Sequence, residues 1–223
     1  MLYMVNKIKF IKLELKNLIK SMFISLVLIN VILFMLLLNL NDFFATLKNM
    51  RDLSQLYVLV LLISISYSII FISTINLEKE KLYNLYHRYF VIPIKSPYNL
   101  IIKIIPLVII DLVLLIFWGV ILFLMYSPVK LQIYLLYLLL SIIFIIGGIL
   151  TFFYFNLTIS NSSILHAIKF ILIFAFAYIP KFLITKNISI QLLFGLILFL
   201  IIAIFFVGIF LVNKLSSEKV LLQ

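Results

Sequence analysis

The chain has 223 residues, of which 66% are hydrophobic and 11% charged, and it has no cysteine. A water-soluble domain carries about half apolar and about a quarter charged residues, so a mean hydropathy of +1.34 leaves no room for a soluble catalytic domain beside about six spans of ~20 residues. The missing cysteines exclude a disulfide framework, a Cys-ligated zinc and an iron–sulfur centre. Eighteen Lys+Arg stand against seven Asp+Glu, but the basic residues are interleaved with long apolar runs. That pattern points to membrane topology and anionic headgroups, not to nucleic acid.

Residues 5–20 are predicted to form a basic amphipathic helix. At 100° per residue, Lys9, Lys12, Lys16 and Lys20 share a face with Asn6 and Asn17, while Ile8, Ile11, Leu15, Leu18 and Ile19 lie opposite. Phe10 and Leu13 fall off the apolar face. Such a helix is expected to lie in the interface plane with its lysines toward anionic lipid. A first span follows over about 21–40; its apolar core is about twice a secretory h-region, and it is expected to be retained. The second span occupies about 55–76.

The connection 77–98 opens with Glu78-Lys79-Glu80-Lys81. Leu82, Leu85, Tyr86 and Tyr89 then recur at helical spacing, which predicts a short surface helix ended by Pro93. Ser96 and Pro97 make a suitable N-cap and first turn for the third span, about 99–126, interrupted only by Lys103 and Asp111. The uncharged stretch from Leu131 to Ile168 is too long for one span. Its polar break, Asn156 to Ser163, divides it into a fourth span (132–156) and the start of a fifth (163–180). A sixth span covers 188–212, and residues 179–190 form either a plain loop or a short re-entrant segment.

The fold expected is therefore an all-α polytopic membrane protein with six transmembrane helices, an N-terminal interfacial helix and a helical cytoplasmic loop after span two, all in one domain over 1–223. With the N-terminus inside, the cytoplasmic side collects 13 Lys and Arg residues (7, 9, 12, 16, 20, 79, 81, 88, 95, 103, 169, 214 and 219) and the outer side 5 (48, 51, 130, 181 and 186). This positive-inside bias predicts a plasma-membrane protein with both termini cytoplasmic.

Few polar groups fall inside the spans. Asp111 is either part of a translocation path or a hydrogen-bond partner that fixes helix packing. His166 and Lys169, at i, i+3 near the start of span five, either meet an anionic group at the inner mouth or, for Lys169, snorkel to the interface. Gly147 and Thr151 have small-xxx-small spacing, and the Ser-rich second span reads first as a packing surface. Nothing in the sequence suggests a metal site or an enzyme: its two histidines, His87 and His166, are 79 positions apart, and no acidic ligand cluster lies in a span.

The interfacial N-terminal helix, six spans and helical loop after span two resemble the permease subunits of ABC-2 type transporters. In that family the loop carries an acidic and basic run, a proline and a later lysine; Glu78-Lys79-Glu80-Lys81, Phe90-Val91-Ile92-Pro93 and Lys103 are similar to that series. Two departures stand out. Lys81-Leu82 replaces the usual Gly-Thr, and the interval from Glu80 to Pro93 is about two residues longer than is common. The resemblance implies a subunit without ATPase activity, consistent with the lack of a Gly-x-x-x-x-Gly-Lys-Ser/Thr loop. It binds no cofactor itself; ATP and Mg would sit on a separate cytoplasmic ATP-binding cassette subunit docked through Glu78, Glu80, Tyr83, Tyr86, Tyr89, Phe90 and Pro93. These aromatics are alternatively an interfacial belt. A second permease copy or a paralogous permease would complete the channel.

Short outer loops favour export, and the scarcity of charged groups in the spans favours an amphipathic peptide or lipid-like substrate. Within the family the chain looks most like the shorter permease of Gram-positive exporters of amphipathic peptides such as phenol-soluble modulins, which serve in peptide export and self-immunity. Two other classes stay open: a six-span binding subunit of a small-molecule importer, and a non-transporting scaffold or regulatory membrane protein.

Overall fold

Long uncharged apolar runs satisfy their backbone within themselves as helices, and helices are what the computed structural model contains. It describes residues 2–39, 51–82, 96–125, 129–159, 161, 163–169, 171–172 and 190–215. These form α1 (Leu2–Asn39), α2 (Arg51–Leu82), α3 (Ser96–Met125), α4 (Leu131–Thr158), α5 (helical at 163–169 and 171–172) and α6 (Ile190–Asn213). No strand occurs among the described residues. Among the described residues, four helices hold segments long and apolar enough to cross a membrane: Gln55–Ile75, Lys103–Met125, Leu131–Thr158 and Gln191–Asn213.

Side-chain contacts give the helix directions. Glu14 meets Lys103 and Asn30 meets Trp118, so α1 and α3 run parallel with a nearly constant register. Tyr134 bonds the carbonyl of Gly119 and packs on Phe123, so α4 returns antiparallel to α3. Tyr137 lies against Phe194, and Gly147 lies against Phe205, so α6 runs parallel to α4. Leu56 and Val60 of α2 pack with Leu193 of α6, placing the starts of α2 and α6 at one end. The result is two helices running one way (α1, α3) and three the other (α2, α4, α6).

The centre of the bundle is α2, buried over 72% of its apolar window, whereas α6 is buried over only 17% of its own. The outward faces of α3, α4 and α6 are apolar: Val113, Phe117, Leu124, Leu135, Phe199 and Phe206 are all exposed. Surfaces of this kind are stable against hydrocarbon and costly against water.

Close approach of α4 to α6 depends on glycine. A Cβ at Gly147 would stand 2.6 Å from the Phe205 Cα, and one at Gly208 would stand 2.7 Å from the Gly147 carbonyl oxygen. A Cβ at Gly148 would meet Ile70 of α2 at 2.7 Å. Small residues that bring backbones together are the usual means of packing helices in lipid, and here they hold α4 between α2 and α6.

Three expectations are corrected. First, no separate interfacial helix precedes span one: α1 is one helix of 38 residues, about 57 Å long at 1.5 Å per residue. Its buried stripe of Glu14, Leu18 and Met22 passes straight through the anticipated junction at residues 20 and 21. No glycine or proline breaks it there, and Ser21 donates to the Leu18 carbonyl within the helix (3.0 Å) instead of capping a new one. The basic segment is therefore the continuation of a rod packed along α3, not a helix laid flat.

Second, α2 continues to Leu82, so Glu78 and Glu80 belong to its last turns, not to a loop. Third, Asn156 does not begin a loop: α4 carries on to Thr158, and Asn156 and Leu157 are buried within it. By contrast, α3 starts at Ser96 with Pro97 in its first turn, where the sequence predicts, and tolerates Pro106 in its interior. The surface helix expected around Tyr83, Tyr86, Tyr89, Phe90 and Pro93 lies outside the described residues, as does most of the segment 179–190.

Candidate functional site

The interior of the bundle is not uniformly apolar. The second half of α2 draws polar side chains from α3 and α5 onto its surface. Asp111 of α3 is fully buried. Its Oδ2 accepts a hydrogen bond from the Ser73 hydroxyl at 2.8 Å, and its Oδ1 has no hydrogen-bond partner among the described residues. Ser73 also approaches the Ile70 carbonyl at 3.1 Å. A carboxyl group with one oxygen engaged and one open, deep in a helix bundle, is either a fixed packing element or a group held ready for an exchangeable partner.

Four other hydroxyls of α2 are spent locally. Ser64, Ser66, Ser68 and Thr74 each donate to the carbonyl four residues earlier, at 2.7 to 2.9 Å. They cover their own polarity within the helix, whereas Ser73 reaches across to α3.

Lys169 of α5 is also fully buried. Its ammonium lies 5.5 Å from the Phe152 ring centroid and 6.0 Å from that of Phe71, so α4 and α2 both present aromatic faces to it. The Tyr67 hydroxyl donates to the Lys169 carbonyl at 2.9 Å, and the Tyr67 and Phe152 rings are 6.1 Å apart. Lys169 does not snorkel outward: cation–π contact with two rings takes the place of headgroup water. His166, one turn earlier, is half-buried. One turn beyond Phe152, Asn156 is buried with both side-chain polar atoms lacking a described partner.

Asp111 and Lys169 thus converge on α2, through Ser73 for the one and Tyr67 and Phe71 for the other. Buried groups of this kind can accept hydrogen bonds and balance charge; no nucleophile stands beside a base among the described residues. No group of three or more His, Cys, Asp or Glu side chains that could hold a metal occurs among the described residues.

A second polar pair joins α1 to α3. The Lys103 ammonium lies 3.3 Å from a carboxylate oxygen of Glu14, both side chains being at most one-tenth exposed. Sixteen residues along α1, Asn30 Oδ1 accepts from Trp118 Nε1 at 2.8 Å, and Asn30 Nδ2 donates to the Leu26 carbonyl. Sequence reasoning missed Glu14, Asn30, Trp118 and Asn156. Signals existed: Glu14 is the only acidic residue before Asp42, and Trp118 is the only tryptophan in the chain. Their partners, however, lie too far along the chain for spacing to reveal.

Of the four lysines assigned to the lipid interface, Lys12, Lys16 and Lys20 are exposed on α1. Lys9 belongs to the same helix. The fold and these sites stand without a relative for comparison: no protein-family model, curated protein or solved structure matches the chain.

Proposed function

We propose that the chain is the permease subunit of an ATP-driven exporter in the plasma membrane, of the ABC-2 type, moving an amphipathic peptide or lipid-like substrate. The observation that carries this reading is the burial of the Ser73–Asp111 pair and of Lys169 around α2, inside a bundle whose outer faces are apolar. Ionisable residues that face the interior of a membrane bundle are costly to place, and they mark substrate or ion paths. In this reading the bundle has six spans, the first being the second half of α1 and the fifth beginning with α5, and both termini are cytoplasmic.

The resemblance at residues 78–93 supplies the energy input. A separate ATP-binding cassette subunit would dock below α2, where Glu78 and Glu80 end the helix, with Tyr83, Tyr86, Tyr89, Phe90 and Pro93 as the contact. Aromatic side chains concentrate at the cores of such interfaces. Movement of the α2 end would then reach Ser73, about two turns back along the same helix, and shift its bond to Asp111.

The test is co-expression with a candidate ATPase subunit, copurification, and transport in vesicles. Wild-type chain should retain the ATPase and export with ATP but not with a non-hydrolysable analogue. Tyr83→Ala with Tyr86→Ala should release the ATPase. Stoichiometric retention by that double variant, or equal export with the analogue, removes the assignment.

A further inference from the structure

The face of α1 turned away from α3 has an anatomy of its own. Lys12, Lys16 and Lys20 are exposed on it at i, i+4 and i+8. They make no hydrogen bond or ion pair with any described residue. Further along the same face come Phe23, Ile24, Val27 and Val31, all exposed. Glu14, which would otherwise neutralise this segment, is turned to the opposite side and engaged by Lys103. The exposed face is therefore cationic at one end, apolar at the other, and without a compensating acid among the described residues. A shallow groove of about 520 Å³ lined by Lys12, Leu13, Leu15, Lys16 and Ile19 lies at the transition.

The α1–α3 register sets the depth of this face. The Glu14–Lys103 and Asn30–Trp118 pairs are separated by 89 and 88 positions, so Lys16 and Lys20 stand level with Ile105 and Ile109 to within about a turn. The apolar window of α3 begins at Lys103. Two of the three lysines thus stand level with the apolar window of α3, on a surface that no described residue covers. Their side chains must climb toward the headgroups while the stems stay in apolar surroundings.

We propose that this face of α1 is a binding site for one anionic phospholipid, its phosphate held by Lys12, Lys16 and Lys20 and its acyl chain lying along Phe23 and Ile24. The occupant follows from charge complementarity and the order of the two halves: a phosphate beside lysines, then hydrocarbon beside phenylalanine and isoleucine, in the direction in which a lipid enters the bilayer. A lysine near an anionic headgroup favours it by about fivefold. The site does not depend on transport.

The test uses the full chain in detergent, loaded with phosphatidylglycerol or phosphatidylcholine, with retained lipid counted by native mass spectrometry. Wild type should retain phosphatidylglycerol at least about tenfold over phosphatidylcholine. K12Q/K16Q/K20Q should bring the two near parity, and K12R/K16R/K20R should preserve the preference. In wild type, phosphatidylglycerol with a photoreactive acyl tail should label the peptide 12–24. Equal retention of both lipids by wild type, an undiminished preference in the glutamine variant, displacement of the lipid by soluble glycerol phosphate, or labelling centred on α6 each overturns the proposal.

Discussion

Individual polar residues behave here in two ways, and the difference lies in whether the partner is local. Ser64, Ser66 and Ser68 use carbonyls of their own helix, so replacing any of them with alanine removes little. Ser73 reaches another helix. Deleting its hydroxyl leaves both oxygens of Asp111 without a side-chain donor, so Ser73→Ala is expected to destabilise the bundle, with a Ser73–Asp111 coupling of about 1 kcal/mol in a double-mutant cycle read by unfolding in mixed micelles. A coupling near zero would mean that the bond carries no weight. For Glu14 a larger effect is expected. Glu14→Gln leaves the Lys103 ammonium buried without its counter-charge, at a cost of about 3 kcal/mol. The double change Glu14→Leu with Lys103→Leu should recover most of that stability, because it removes the desolvated charges together. Failure of the double variant to recover would show that the pair contributes more than charge balance.

Between helices, stability turns on how closely backbones approach. The apolar faces are as well solvated by lipid as by protein, so α4 and α6 associate through packing rather than through exclusion from water. Gly147 and Gly208 permit that contact, and either one changed to alanine drives a methyl group into backbone atoms less than 3 Å away. Gly147→Ala and Gly208→Ala are each expected to cost about 1–3 kcal/mol. Gly195, on the same α6, has open space around its missing Cβ, so Gly195→Ala should be neutral or stabilising by up to about 1 kcal/mol through helix propensity. Equal effects at Gly195 and Gly208 in thermal unfolding would rule out the α4–α6 contact. The same elements show what local pattern can and cannot convey. The start of α3 at Ser96 and Pro97 and the bounds of α6 follow, to within a few residues, from apolar length and local residue preference. The continuity of α1 does not, since its wheel of lysines and isoleucines suits a planar helix equally well until Glu14 is given a partner.

At the scale of the whole molecule, the fold fixes which ends lie together, and the positive-inside bias predicts which of those ends faces the cytoplasm. Parallel α1 and α3, antiparallel α3 and α4, and parallel α4 and α6 put Lys12 and Lys214 at one end and Lys130 at the other. Because the chain has no cysteine, single replacements report on this directly. Lys12→Cys and Lys214→Cys should react with a membrane-impermeant thiol reagent only from the cytoplasmic side, and Lys130→Cys only from the outside. Labelling of Lys130→Cys and Lys214→Cys from one side would contradict the bundle itself, whereas all three reversed would contradict only the orientation.

The sequence by itself determined that the chain is helical, that several of its segments are apolar and long enough to cross a membrane, and that its charges are unevenly distributed between them. Hydrophobic length and charge asymmetry act locally on each segment, so they can be read without knowing what packs against what. Only the tertiary structure decided that α1 is a single rod clamped to α3, that Lys169 lies between aromatic rings instead of at the surface, and that Asp111 is held by Ser73. Those outcomes depend on partners 17 to 98 positions away, and helix packing in lipid selects such partners by shape and hydrogen bonding, which leave no periodic trace along the chain.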